Sequence, residues 1–278
     1  MPRRNLPARR RALRFPFGWG PLMLLPTARG TIRGGTCASM KYLDLTLPTP
    51  AENLACDEVL LELCEQSPRL EVLRVWEPAQ VFVVLGCGNK AAAEADLPAC
   101  GRLDVPVLRR SSGGGAVVLG PGCLSFALVL QSEGHRPLSR VTTTASFVLD
   151  RTLAAIRPLL AGAAHCRGTG DLATGELKFA GTAQRRLRRC VLVHGVMLLG
   201  FKLQLMNQLL RHPSREPAYR RGRGHLDFVA NVPMVASDVK HALRAAWGAG
   251  GQFGAVPGER IRQSVAARYG RDEWNFRH

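Results

Sequence analysis

From Met40 onward the chain switches between strand-like and helix-like spacing of its apolar positions. Lys41–Leu47 reads as a strand. Thr49-Pro50-Ala51-Glu52 then forms a capping box with Pro at the first helical position, which predicts a helix over 50–66. Its apolar stripe runs through Ala55/Cys56, Val59/Leu60 and Leu63, and Asp57, Glu58, Glu62 and Glu65 face mostly elsewhere. Val- and Leu-rich stretches predict strands over 71–76 and 80–85, and a loop or helix covers 90–100. A short strand at 105–108 runs into the glycine-rich Arg109–Gly115. Two further strands, 117–119 and 124–130, flank a Pro121-Gly122 turn.

A helix over 139–161 follows, with Leu149, Leu153, Ile156 and Leu160 at helical spacing. Short strands are predicted at 163–167, 170–173, 177–181 and 190–199, with a hairpin-type turn at Ala173-Thr174-Gly175-Glu176. The last third reads as helices at 201–211, 224–231, 237–248 and 257–269. Several strands joined by tight turns argue against a doubly wound parallel sheet. The expected fold is α/β of the α+β type: a mixed, mostly antiparallel sheet flanked by helices, with the helices set on one face.

Composition changes this picture little. The 278 residues are 46% hydrophobic, enough for a proper core, and no apolar run reaches the ~20 residues of a membrane span. The net charge of +17 invites a nucleic-acid reading, because a basic surface attracts phosphate without further help. Residues 1–39 hold eight arginines and no acidic residue, so residues 40–278 keep thirty basic residues against 21 acidic ones, a net of +9. That leader mimics a signal or transit peptide, but glycines and prolines interrupt its apolar stretch. It is expected to be disordered or non-native, with Met40 as an alternative start. Eight cysteines show no C-x-x-C and no zinc-ligand spacing, which fits reduced, buried thiols in a cytoplasmic protein. No metal site is expected.

Three segments carry candidate chemistry. Arg109-Arg110-Ser111-Ser112-Gly113-Gly114-Gly115-Ala116-Val117 places glycines and two guanidiniums after a strand. Such a loop offers backbone N–H groups to anionic oxygens, although a plain hairpin turn reads equally well. It is neither a P-loop nor a dinucleotide fingerprint. In Gly170–Arg186, two short strands joined at Thr174-Gly175 bring Asp171 near Lys178, a lysine placed to face developing negative charge or simply a surface residue. His194, in the apolar strand Cys190–Leu199, reads more readily as a satisfied core residue than as a catalyst.

Taken in order, R-R-S-S-G-G-G-A-V, D-L-(x5)-K-F-A-G-T-A-Q-R-R and H-G-V-M-L-L resemble the lipoate–protein ligase and octanoyl/lipoyl transferase family. Glu52–Glu58, Arg74–Pro78, Val84-Leu85-Gly86 and Glu273–Phe276 are similar to further family segments, so the resemblance covers about 40–278. It implies a fold related to biotin protein ligase and class II synthetase catalytic domains, over 40–278, with no C-terminal accessory domain. It implies lipoate or octanoate as substrate, ATP with Mg²⁺ for a ligase, and a lipoyl-domain lysine as acceptor. A separate accessory chain or an acyl carrier protein is a further possible partner; nucleic acid and membrane are not expected. The binding residues it implies are Arg110, Ser112, Gly113, Gly114, Gly115, Ala116, Val117, Val118 and Lys178, with Lys178 and Asp171 at the reacting centre.

The chain departs from the family pattern at Leu119-Gly120, where many members carry His-Asp, and at Gly170, where Asn is common. The alternative within the family is an octanoyl transferase working through a cysteine thioester. Cys166, twelve residues before Lys178, is its first candidate, followed by Cys123 and Cys190. A more distant alternative is a nucleic-acid-binding module using Arg185–Arg189 and Arg215–His225; these basic loops read better as a docking surface for an acidic lipoyl domain.

Overall fold

The computed structural model describes residues 40–278. The expectations for residues 1–39, including the start at Met40, lie outside the described residues. Strand β1 (Lys41–Asp44) leads to helix α1 (Pro50–Gln66). The helix opens on the predicted capping box: the Thr49 hydroxyl accepts from the Glu52 N–H at 3.2 Å, and the Glu52 carboxylate accepts from the Thr49 N–H at 3.0 Å. Then come β2 (Val72–Trp76), β3 (Phe82–Leu85), α2 (Ala91–Glu94), α3 (Leu97–Arg102) and β4 (Val107–Arg109). After the glycine-rich loop follow β5 (Val117–Leu119), β6 (Cys123–Gln131) and α4 (Val141–Ile156). The central hairpins are β7 (Ala164–Arg167), β8 (Asp171–Thr174), β9 (Leu177–Arg186) and β10 (Cys190–Leu198). The chain closes with α5 (Gln204–Leu209), α6 (Ala236–Ala246), β11 (Gly251–Gln252), α7 (Gly258–Ser264) and α8 (Asp272–Asn275).

Eight strands form one sheet in the order β11-β1-β2-β6-β10-β9-β8-β7, and β4-β3-β5 form a second. Only β1 with its two neighbours, and β3 with β4, pair in parallel. The mixed, mostly antiparallel expectation therefore holds, but helices cover both faces of the large sheet rather than one. Alternation along β6 divides the core. Leu124, Phe126, Leu128 and Leu130 face α4 and α6, whereas Ala127 and Val129 face α1. The small sheet packs with α2, α3 and α5 around Val83, Leu85 and Val118. No helix among the described residues is long and apolar enough to cross a membrane.

Helix α1 departs from the expected single stripe, because Asp57 and Glu58 are buried. Each has its own cation. Arg74 on β2, fully enclosed, donates to Asp57 Oδ1 at 2.6 Å, to the Asn53 side chain at 2.6 Å and to the Asn53 carbonyl at 2.8 Å. Glu58 meets Arg268 at 2.6 Å, Arg185 at 3.0 Å and the Tyr269 hydroxyl at 2.7 Å. Periodicity places carboxylates outside because unpaired ones belong there; it is blind to partners 17 and more residues away in sequence.

Other boundaries shift for identifiable reasons. The helix expected over 139–161 ends at Ile156, where Pro158 supplies no N–H. That over 201–211 shrinks to α5. Residues 224–231 form no helix: Phe228 O accepts from the Lys178 N–H and the Ala230 N–H donates to Lys178 O, so this segment lies alongside β9. The helix over 257–269 is α7 followed by a π-helical turn, Val265–Tyr269. Strand β9 runs five residues beyond its expected end, carried by pairing with β10.

The Asp57–Arg74 pair yields a stability test. Burial pushes the Asp57 carboxyl upward, but Arg74 and the His194 ring outweigh it and hold it below its ordinary value. The resulting stabilisation is present above the ordinary Asp pKa of about 3.9 and is lost as pH falls through the lower folded-state value. Arg74→Met, which strands Asp57 without its cation, is expected to cost about 3–5 kcal/mol in urea unfolding at pH 7. The cost should shrink as the pH is lowered, because the carboxylate left without Arg74 is relieved by taking up a proton and the wild-type pair loses its advantage.

Candidate functional site

Strand register places the site. Trp76 pairs with Ser125, Ser125 with Val196, Val196 with Gly181, and Gly181 with Asp171, one level across five strands. One step further along lie Arg74, Ala127, His194 and Ala183, two residues away on each strand and so on the same face. Between this face and the glycine-rich loop lies a cavity of about 450 Å³, within the size range of small-molecule sites.

The loop is shaped by adjacent arginines. Arg109 is fully buried and donates only to carbonyls: those of Gly86, Asn89, Trp274, Asn275 and Arg277 lie at 2.7–3.1 Å, and that of Cys87 at 3.4 Å. Its own N–H donates to Asn275 Oδ1 at 2.9 Å, and its carbonyl accepts from Trp274 Nε1 at 2.8 Å. Arg110 turns into the loop and donates to the carbonyls of Gly113 at 2.7 Å and Gly115 at 2.8 Å. Burial pushes it down to about 10, so it stays charged at neutral pH. Gly114 has φ +89°, and a Cβ there would stand 2.7 Å from the Arg110 guanidinium. A Cβ on Gly86 would stand 2.0 Å from the Gly114 carbonyl. Glycine is required at both positions.

Opposite the loop, Lys178 Nζ meets Asp171 Oδ1 at 2.7 Å. The second oxygen of Asp171 accepts from the Tyr219 hydroxyl at 2.8 Å. Burial, then the Asp171 charge, pushes that hydroxyl well above its ordinary value, so it remains a donor. The lysine side chain folds over Gly181, where a Cβ would stand 2.7 Å from Nζ.

A third group links the two sides. His194 Nδ1 lies 3.2 Å from Asp57 Oδ2, and its Nε2 lies 2.6 Å from Ser112 Oγ. The serine oxygen also accepts from Arg110 Nε at 3.1 Å, so the imidazole and the hydroxyl tie Asp57 to the glycine-rich loop.

The structure thus brings Arg110, Gly114, Gly115 and Ala116 together with Val117, Val118, Asp171 and Lys178 around one cavity. Ser112 and Gly113 belong to the same loop without lining it; Ser112 reaches the cavity through His194. Tyr219, 48 residues from Asp171 within an arginine-rich stretch, carried no signal in sequence. Asp57 is visible in the sequence only as part of a helix motif. His194, expected as a satisfied core residue, has both ring nitrogens partnered and also lines the cavity.

No cysteine among the described residues lines the cavity. Cys166 pairs in register with Leu172 and therefore faces α4, whereas Asp171, one residue earlier, faces the cavity. Its thiol donates to Asp150 at 3.4 Å, and burial with that carboxylate pushes it up to about 11. Burial pushes Cys123 and Cys190 up to about 12. None of the three suits a thiolate nucleophile. The basic cluster is likewise spoken for. Arg185 pairs with Glu58, Arg186 bonds Thr144 and the Leu138 carbonyl, and Arg189 pairs with Glu65, leaving Arg188 exposed. Arg185 and Arg186 belong to β9 rather than to the loop expected there. No three His, Cys, Asp or Glu side chains gather as a metal site among the described residues.

The family model of the lipoyl protein ligase A/B catalytic domain matches residues 49–245. The chain belongs to this family. Its cavity, its loop and Lys178 all fall within the matched span. The chain is similar to octanoyltransferase LipM of Carboxydothermus hydrogenoformans, 24% identical over 85% of this chain and 98% of the relative. It is also similar to the probable lipoate-protein ligase A of Mycoplasma pneumoniae, 30% identical over 57% of this chain and 46% of the relative. Among solved structures, a bi-partite lipoate protein ligase from Thermoplasma acidophilum, studied with its E2 lipoyl domain, superposes with TM-score 0.72 at 23% identity, over 85% of this chain and 96% of that one. A lipoate-protein ligase A bound with ATP gives 0.69 at 23% identity, over 86% and 98%. The family's members with these names are enzymes, and the shared fold is the one described above.

Gly181→Ala tests the placement of Lys178. The new Cβ crowds the flexible far end of Lys178 and meets Asp171 Oδ1 only at ordinary contact distance, so thermal unfolding should be nearly unchanged while the ammonium is displaced. Acyl transfer is expected to fall about 10- to 100-fold, the usual consequence of a misplacement near 1 Å.

Proposed function

We propose that this protein attaches a lipoyl or octanoyl group to a lysine of a lipoyl-domain protein, by way of an acyl-adenylate formed from ATP. The observation that carries the reading is a cavity that joins the Lys178 ammonium and a glycine-rich loop to an apolar floor and, among the described residues, contains no cysteine. The catalytic unit in this reading is residues 40–278. The chemistry runs in two displacements. The acid's carboxylate oxygen attacks the α-phosphorus of ATP, forming the mixed anhydride and releasing pyrophosphate. The acceptor amine then attacks the carbonyl, the bond to AMP breaks, and the amine loses a proton.

Both steps concentrate negative charge that the site's residues are placed to meet. Lys178, steered by Asp171 and Tyr219, faces the carboxylate and phosphate oxygens. Arg110 fixes the carbonyls of the loop, so its backbone N–H groups keep one orientation. The glycines that a Cβ would obstruct fit a cradle for a nucleotide's phosphate. A protein-held Mg²⁺ does not fit: Asp57 and Asp171 are paired, Glu94 accepts from Ser214, and Glu216 pairs with His212 and Arg220. Magnesium enters this scheme only with the nucleotide, as MgATP substrate, since it keeps waters and binds phosphate readily.

A second reading keeps one observation in its favour: the full-length relatives carry the name octanoyltransferase. A transferase would take octanoyl from an acyl carrier protein. An accessory chain also fits, since the Thermoplasma ligase is bi-partite.

Purified protein, a lipoyl domain, MgATP and lipoate or octanoate, followed by intact acceptor mass, test the proposal. An ATP-dependent mass gain that survives Cys166→Ser and disappears in Lys178→Ala is expected. A gain from octanoyl carrier protein without ATP would replace the ligase reading by the transferase. No gain under either condition, with and without an accessory chain, would remove both.

A further inference from the structure

The apolar end of the cavity is not wholly apolar. Trp76 and Ser125 line it, 2% and 4% exposed, on neighbouring strands and at the same level. Among the described residues, Trp76 Nε1 and Ser125 Oγ are buried without any hydrogen-bond partner. Of the side-chain atoms in that condition, they are the two whose side chains line the cavity. Buried donors are satisfied in nearly all native structures, so two adjacent orphans beside a ligand-sized space point to a ligand that supplies acceptors.

Their distance from the reacting centre fixes which part of the ligand they meet. The Lys178 ammonium lies over Gly181, and Ser125 stands two strands away across Val196. At a strand spacing of about 4.8 Å, that is roughly 10 Å. An eight-carbon chain at about 1.2 Å per extended backbone bond spans about 8 Å. With its carboxyl carbon at hydrogen-bond distance from Lys178, its last carbons arrive beside Ser125 and the Trp76 indole.

We infer that Ser125 and Trp76 are specificity residues that favour a lipoyl chain over an octanoyl chain, by donating to the two dithiolane sulfurs it carries at carbons six and eight. The inference rests on the acyl-attachment reading above and names the chain that site prefers. Octanoate places methyl and methylene groups at the same level and leaves both donors unpaired. Thioether-type sulfur is a weak acceptor, so the preference is moderate. It stays far below the 10⁴–10⁵ that a site built around a substrate hydroxyl reaches.

The experiment compares lipoate with octanoate on the wild type, Ser125→Ala and Trp76→Phe. It reads kcat/KM for acceptor acylation and, by calorimetry, Kd of each acid alone. The wild-type ratio should favour lipoate by about tenfold, and each variant should bring it down roughly threefold, toward unity. Ser125→Ala deletes an unpaired hydroxyl, so its melting temperature should equal or exceed that of the wild type, which separates altered selectivity from damage to the fold. A wild-type ratio at or below one, or a ratio that neither variant moves, overturns the inference while leaving acyl attachment standing. Binding needs neither ATP nor acceptor. A lipoate preference seen in calorimetry but without transfer therefore supports the inference against the proposed activity, and failure to bind either acid overturns both.

Discussion

Two neighbouring guanidiniums that have no carboxylate to meet organise this molecule around its cavity. Arg109 closes β4 and Arg110 follows it, and the two side chains gather different partners. Among the described residues the Arg109 side chain is met by peptide carbonyls alone, and that of Arg110 by peptide carbonyls and the Ser112 hydroxyl. A carbonyl is a weak partner singly, but several aimed at one cation offset much of its desolvation. The arrangement also makes the backbone the ligand. Arg109 gathers residues 86–89 and the C-terminal 274–277, and Arg110 gathers the glycine-rich loop. Three stretches far apart in sequence are thereby fixed to one strand, and the cavity's roof inherits its shape from that.

The same economy governs the rest of the charge. A net charge of +17 on its own suggests an extended polyanion as partner. Much of the cationic surface turns inward instead. Arg74 neutralises Asp57, Arg185 and Arg268 converge on Glu58, and Arg223 donates to the carbonyls of Glu176, Tyr219 and Asp227. Guanidinium suits such work because its fork of donors can satisfy several acceptors at once. The arginine content of this chain is better understood as internal scaffolding than as a measure of what it binds.

The legible parts of the sequence were those decided locally. The Thr49 capping box, the strand alternation and the glycine-rich loop each depend on residues within a turn or two. All three appear where the pattern places them. The closeness of Asp171 and Lys178 follows from a hairpin and was legible for the same reason. Long-range partnerships were not. Asp57 and Glu58 looked solvent-facing until Arg74 and Arg268 were seen beside them. Residues 224–231 have helical spacing but spend their hydrogen bonds on Lys178. Cys166 is near Lys178 in sequence and on the wrong face in space, a difference of one residue in strand parity. Ser125 and Trp76 could be read only as core, because an unpaired hydroxyl has no signature in a linear string.

Lys178 poses a problem of self-recognition. The reaction proposed for this family member transfers an activated acyl group to a lysine nitrogen, and the enzyme keeps a lysine nitrogen of its own beside the same activated carbon. Held against Asp171 as an ammonium, with Tyr219 fixing the carboxylate from behind, that nitrogen has no lone pair to offer. Its charge can polarise the anhydride while its chemistry is withheld. An incoming acceptor lysine, shed of its proton, meets no such restraint. On the proposed reaction the ion pair would do more than aim a positive charge: it would distinguish the amine that assists from the amine that is consumed.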